Sequence, residues 1–251
     1  MSELTINRVP ESTNNSLRAW SAADELLISF LNEKDPESVI IYNDSFGYLA
    51  THSAPRTIYF ASDLKSQEKS ALENFETNKI DSPCLHPTSL LKKADKKAKL
   101  GLMKIPKSLG LFEMFLSHSA QNMYKTGTLA CGFMTRNFTK QMLEIAGEYF
   151  EVVEQSLSKK KARLLILSKP KNVDKKTFLN TIPFENEEIK QYFGVFSSNH
   201  IDYATQFLIE NLEPEEEVNS VLDLACGNGI LAKEVQKQFP DAEYHLVDDS
   251  Q

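Results

Sequence analysis

Two aspartates and two glycines near the carboxyl end have the types and spacing of a small-molecule site. Asp223 interrupts the apolar run 221–224, Gly227 and Gly229 follow in Cys226-Gly227-Asn228-Gly229, and Asp248 closes the next apolar stretch about twenty residues after Gly227. Ile230, Leu231 and Val235 resume at helical spacing, so 221–250 reads as a strand, a tight turn, a helix and a second strand. Such a turn lets a bulky cofactor approach the backbone, and the free amides at the start of the helix suit an anionic group. A carboxylate at Asp248 is placed to accept both hydroxyls of a ribose. Gly227, Gly229 and Ala232 also satisfy the dinucleotide pattern G-x-G-x-x-A, a weak signal by itself. Asp223 favours a different ligand. An acid four residues before the glycine puts negative charge where a pyrophosphate would lie, but where the sulfonium and amino group of S-adenosylmethionine would be attracted. S-adenosylmethionine is therefore the expected cofactor and NAD the second candidate, with a glycine turn that binds nothing as the bland alternative.

Two basic clusters suggest another partner. Lys92, Lys93, Lys96, Lys97 and Lys99 form one, and Lys159, Lys160, Lys161 and Arg163 the other. Each is either a solvated face or a phosphate contact for RNA, and the net charge of −7 makes the local arrangement the deciding quantity. The three cysteines, Cys84, Cys131 and Cys226, share no C-x-x-C spacing, and the five histidines are scattered, so neither a disulfide framework nor a metal site is expected. With 41% hydrophobic and 25% charged residues, a polar start and no apolar run of membrane-spanning length, the composition suits a globular cytoplasmic protein.

The elements that must position these residues alternate between strand and helix. Ser16 is placed to cap a helix with Leu17, Trp20, Ala23, Leu27, Phe30 and Leu31 on one face; "SVIIYND" and "TIYFA" are β-branched runs; Asp63 is placed to cap a helix with Leu64, Ala71, Leu72 and Phe75. A weak strand at 84–86, strands "LGLMKI" and "TLACGF", and helices over 108–116 and 139–150 follow. "FEVVEQSL" and "ARLLILS" are separated only by "SKKK", which permits an antiparallel hairpin and not a crossover. The pattern predicts an α/β, Rossmann-like parallel sheet of about seven strands whose last two are a hairpin, the strand complement of a class I methyltransferase fold. An internal repeat strengthens this. "VIIYNDSFGYLA" at 39–50 lies over "VLDLACGNGILA" at 221–232, with Ile41 in place of Asp223, Ser45 in place of Gly227, and Ser62 where a ribose-binding acid belongs.

The stretches "LRAWSAADELL" at 17–27, "VIIYNDSFGYLA", "LMKIPKSLGLFE" at 102–113, "KKARLL" at 160–165, "GVFSSNHID" at 194–202 and "VLDLACGNG" at 221–229 give the chain its resemblance to a family. It resembles the bacterial ribosomal RNA guanine-N(2) methyltransferases, the large-subunit (23S) enzyme more than the small-subunit one. That resemblance implies tandem folds: a degenerate copy at 1–168 that helps hold RNA, a connecting segment at 169–190, and at 191–251 the first β-α-β part of an S-adenosylmethionine-binding copy. It assigns the cofactor loop to Asp223, Ala225, Gly227 and Gly229 and the ribose acid to Asp248, with Ala225 where the family has the first glycine of D-x-G-x-G-x-G. Ser198 stands where relatives have arginine and Ala204 where they tend to have glycine, which bears on the segment containing Phe196 and Asp202. The family also carries an Asn-Pro-Pro-aromatic motif, whose asparagine and backbone carbonyl orient the guanine amine while the ring stacks on a flipped base. No Asn-Pro-Pro occurs in these 251 residues, so no catalytic residue is assigned, no methyl transfer is expected from this sequence alone, and the sequence is expected to be a truncated piece. In the first copy the corresponding stretch is "MKIPKS", with Lys104 and Lys107 flanking Pro106. Lys104, Lys107, Lys159, Lys160, Lys161 and Arg163 are the RNA-contact candidates. A non-catalytic RNA-binding protein and a nicotinamide-dependent enzyme are the alternative functions, and oligomeric state is not legible.

Overall fold

The computed structural model describes residues 4–14, 16–92, 97–173, 176–185, 187–197, 200–213 and 217–250. The chain divides into two compact units, Met1–Lys176 and Thr177–Gln251.

The first unit runs α1 (Ala22–Lys34), β1 (Ser38–Tyr42), α2 (Tyr48–Ser53), β2 (Thr57–Ala61), α3 (Lys65–Thr77), β3 (Leu85–Thr88), β4 (Ala98–Lys104), α4 (Leu109–Asn122), β5 (Met123–Met134), α5 (Lys140–Tyr149), β6 (Phe150–Gln155) and β7 (Ala162–Pro170). Its seven strands form one sheet in the order β3-β2-β1-β4-β5-β7-β6. β1 lies parallel between β2 (Ser38 opposite Thr57) and β4 (Val39 opposite Leu100), and β7 is antiparallel to both β5 and β6. The β-branched run Val39-Ile40-Ile41 is fully buried because a central parallel strand is covered on both faces. Leu27 and Leu31 of α1, Leu49 of α2, and Ala71 and Phe75 of α3 pack with that strand in one core.

Two sequence expectations need correction here. Ser16 does not cap α1. Ser21 does, in a capping box: the Ser21 backbone N–H donates to Asp24 Oδ2 at 2.7 Å, and α1 begins a turn later than the apolar stripe suggests, leaving Leu17 half exposed. The N-cap position of α3 is Leu64, next to Asp63, and Ser62 shares in that turn, its hydroxyl accepting the Leu64 N–H at 3.0 Å. The segment 169–190, read as a connector, holds the end of β7 and most of a hairpin.

That hairpin opens the second unit: β8 (Leu179–Phe184) and β9 (Glu187–Tyr192) are antiparallel, followed by α6 (Tyr203–Asn211), β10 (Ser220–Leu224), α7 (Ile230–Gln238) and β11 (Glu243–Val247). β10 and β11 pair in parallel, Ser220 opposite Glu243, with α7 as the crossover. Ile182, Ile201 and Ile230 form its small core. No described helix is long and apolar enough to cross a membrane.

Candidate functional site

The second unit places the predicted chemistry at the carboxyl ends of its two parallel strands, where ligands of open α/β sheets bind. β10 ends at Leu224, and the chain turns back through Ala225 and Gly227, both left-handed (φ +64° and +54°), before Gly229 (φ +76°) starts α7. The turn is pinned to β11: Ala225 N–H donates to Val247 O at 2.7 Å and Cys226 N–H to the same oxygen at 3.1 Å. Asp248, one residue beyond β11, accepts the Gly227 N–H through Oδ2 and the Ser250 N–H through Oδ1, both at 2.8 Å. Those bonds, the Ser250 ones foremost, hold the Asp248 carboxyl below the usual carboxylate range, so it is an anion with lone pairs to spare for hydroxyl donors.

Asp223, Ala225, Gly227 and Asp248 line one cleft of about 390 Å³, together with Ile230 and Phe196. Asp223 is 8% exposed, and its Oδ2 is buried with no hydrogen-bond partner. A buried carboxylate oxygen left without a partner is costly, and Asp223 lines the cleft through which a cationic or N–H group can supply the missing bond. The Cys226 thiol between the two acids is pushed up by burial and then by the charges of Asp223 and Asp248, which marks the cleft as a negative environment. A pyrophosphate is the wrong charge for it, and a sulfonium with an α-amino group is the right one. The donor set therefore fits S-adenosylmethionine.

The glycines serve the backbone more than the ligand. A Cβ at Gly227 would meet only Val195 Cγ1 at 3.8 Å, an ordinary contact, so what glycine provides there is the left-handed dihedral. Ala225 adopts the same region without that freedom, at a cost of roughly 1 kcal/mol. Two residues of the site had not been singled out. Asn228 Nδ2 donates to Gln191 Oε1 at 2.7 Å, and the buried Gln191 amide reaches the carbonyls of Phe196 and Ser197, tying the glycine turn to the segment after β9. Asp202 caps α6 through Ala204 N–H and Thr205 N–H, and Ser198 lies outside the described residues.

The RNA-contact candidates belong to the first unit and fall into two groups. The Lys104 ammonium lies 2.8 Å from Asp24 Oδ2, and because Asp24 is 2% exposed the lysine is the counter-charge of a buried acid. Lys107 is exposed, Lys159, Lys160 and Lys161 form the β6–β7 turn, and Arg163 is half-buried beside Gln155. Of the other cluster, Lys93 and Lys96 lie outside the described residues.

Residues 1–172 match the family described as RLMG N-terminal domain, and residues 186–251 the one described as Methyltransferase small domain. The chain belongs to the RLMG family. A relative from Shewanella loihica, named Ribosomal RNA large subunit methyltransferase G, is 30% identical over 99% of this chain and 64% of its own length. One of the same name from Psychromonas ingrahamii is 33% identical over 98% of this chain and 67% of its own. This chain thus spans about two thirds of the length of its family relatives. In fold it is similar to the T. Thermophilus 16S rRNA N2 G1207 methyltransferase solved with AdoMet and guanosine, with a TM-score of 0.71 at 17% identity, covering 96% of this chain and 65% of that one. The family's Rossmann-like class I methyltransferase fold is the α/β architecture described above.

Proposed function

We propose that the second unit binds S-adenosylmethionine and that the cytoplasmic protein to which this sequence belongs methylates the exocyclic amine of a guanine in 23S ribosomal RNA. The observation that carries the reading is the orphaned Asp223 Oδ2 in a cleft that the ionised Asp248 also lines. Asp223 would take the cationic end of the cofactor and Asp248 its ribose hydroxyls, while Ala225, Gly227 and Gly229 shape the turn and Asn228 holds it against Gln191. Bound there, the cofactor supplies an activated methyl group. Orienting the guanine amine is the task of an Asn-Pro-Pro-aromatic motif, which these 251 residues do not contain, so this chain's own contribution is to bind and orient the donor. The domain division proposed with this reading is RNA holding by the first unit and donor binding by the second.

Calorimetric titration with S-adenosylhomocysteine tests it. Saturable binding is expected, weakened about 10- to 100-fold by Asp248→Ala or Asp223→Asn, the loss typical of a hydrogen bond to a charged group. Tighter binding of NAD than of S-adenosylhomocysteine, or equal affinity in the two variants and the parent, would overturn it.

A further inference from the structure

The first unit has lost its acid at Ile41, yet the carboxyl edge of its sheet is cationic. The tip of the β6–β7 hairpin is a two-residue turn: Lys159 and Ala162 exchange both backbone hydrogen bonds at 2.9 Å, with Lys160 at φ +52° and Lys161 at φ +60° between them. Positive φ at both central positions is the pattern of a type I′ turn, which selects Asn-Gly and penalises long side chains. Two lysines are therefore held at the two positions where the fold alone would choose otherwise. Backbone strain clusters at functional sites, and here it falls on two adjacent residues of one charge.

The neighbours of that turn are also basic. Thr135 N–H donates to Lys161 O at 2.9 Å and places Arg136 beside the turn, and Ile105 N–H donates to Gly132 O at 3.0 Å, which brings the β4 exit with Lys107 to the same edge. The acids facing this edge from α1 are already engaged, Asp24 by Lys104 and Glu25 by Lys160 at 2.8 Å. Among the described residues, Lys107, Arg136, Lys159 and Lys161 have no ion-pair partner, and all four are exposed. In a chain of net charge −7, this is a local excess of unpaired cations on one rim.

We propose that this rim, centred on the strained Lys160-Lys161 turn with Lys107, Arg136 and Lys159 around it, docks the phosphate backbone of RNA. The inference rests on the RNA substrate proposed above and names the surface that holds it. Backbone contact positions an RNA without reading its sequence, which suits a unit that carries no chemistry of its own.

The double variant Lys160→Asn/Lys161→Gly separates a functional turn from an ordinary one. It keeps and improves the turn, so its melting temperature is expected to rise. Its affinity for a fluorescently labelled RNA stem-loop is expected to fall about tenfold at low salt, with the slope of log affinity against log salt shallower by about 1 to 2. Lys79→Gly is the control: Lys79 is also left-handed and exposed (φ +55°) but lies after α3, away from this rim, and should stabilise without weakening RNA binding. An unchanged RNA affinity and salt slope in the double variant, an equal loss in Lys79→Gly, or no RNA binding by the parent chain would each overturn the surface. Titration of the same proteins with S-adenosylhomocysteine keeps the two proposals apart. A parent chain that binds the donor but not RNA counts only against the rim, and one that binds RNA but not the donor counts only against the cofactor site.

Discussion

The two units carry the same strand-turn-helix-strand and differ in what fills its mouth. β1 and β10, Gly47 and Gly229, and the starts of α2 and α7 correspond in position, and the two glycines have almost the same dihedrals (φ +71°, ψ 15° and φ +76°, ψ 13°). Ser38 opposite Thr57 matches Ser220 opposite Glu243, so Ser62 and Asp248 each stand one residue beyond the second strand. In the second unit that mouth holds an acid with an unpartnered oxygen. In the first, Ile41 replaces the acid and the chain's own side chains close the space: Asn43 Nδ2 donates to Lys104 O at 2.8 Å, Gln67 Nε2 to Asn43 Oδ1 at 3.3 Å, and the Ser62 hydroxyl to Gln67 Oε1 at 3.0 Å. A satisfied network is the stable end state of such a mouth, and an unsatisfied acid is the functional one.

Exchanging the two diagnostic residues is the most forceful way to break this comparison. Ile41 is fully buried in the central strand, so Ile41→Asp places an unpaired carboxylate in the core and should cost about 4 kcal/mol or more, enough to unfold the first unit. Trp20, the single tryptophan, reports on that unit by fluorescence. The reciprocal Asp223→Ile should raise the stability of the second unit by roughly 1 kcal/mol while abolishing S-adenosylhomocysteine binding, because the acid serves function against stability. A folded Ile41→Asp protein, or an Asp223→Ile protein that loses stability, would mean that the two mouths are not the opposites described.

What the sequence disclosed about these mouths divides by distance along the chain. Asp223, Gly227, Gly229 and Asp248 were legible because a turn and a parallel crossover fix their spacing, and β1, β2 and the β6–β7 hairpin because β-branched runs and a four-residue gap leave little choice. The Asn228–Gln191 tie spans 37 positions and the Lys104–Asp24 pair 80, and no local pattern announces either. β8 and β9 were missed because Pro183 and the charged run 185–188 weaken the strand signal for a hairpin with few neighbours. Ser16 directly precedes the apolar stripe and so looks like a cap, whereas the acid three residues after Ser21 is the better sign of a helix start.

The paired glycines sharpen the comparison at a smaller scale. A Cβ on Gly47 would lie 2.5 Å from the Cα of Ala71, so α3 crosses the turn in contact with its backbone; at Gly229 the nearest atom would be Leu246 Cδ2 at 3.4 Å. Gly47→Ala combines a left-handed dihedral with a backbone clash and should cost about 3 kcal/mol, whereas Gly229→Ala carries mainly the dihedral, about 1 kcal/mol. Thermal unfolding of the two variants checks the ratio, and equal losses would show that the close approach of α3 is not what constrains the first turn.

The smallest expected effect is a cancellation. In the first unit burial pushes the Asp44 carboxyl up to about 7, with the Ala50 N–H and Lys104 pulling it down and Asp24 adding to the rise; burial pushes His118, whose Nδ1 is 2.9 Å from the Tyr42 hydroxyl, down to about 4. Asp44 is protonated in the fold at pH values where it is ionised unfolded, so the stability it contributes is full below 3.8 and is lost as pH rises to about 7. His118 is neutral in the fold where it is protonated unfolded, so its contribution is full above 6.5 and is lost as pH falls toward 4. The two terms, roughly 4 and 3 kcal/mol at most, run in opposite directions over nearly the same range. The urea midpoint of the first unit, followed at Trp20, should therefore change little between pH 6.5 and 4. Asp44→Asn keeps an acceptor for the Ala50 N–H and removes only the titration, so its midpoint should fall on acidification by the full His118 contribution. The second unit has no such compensation at Asp248, whose lowered value means that stability present above 3.8 is lost only as pH falls further. If Asp44→Asn stays as flat as the parent, the buried pair does not oppose itself, and the closed mouth of the first unit is no more buffered against acid than the open mouth of the second.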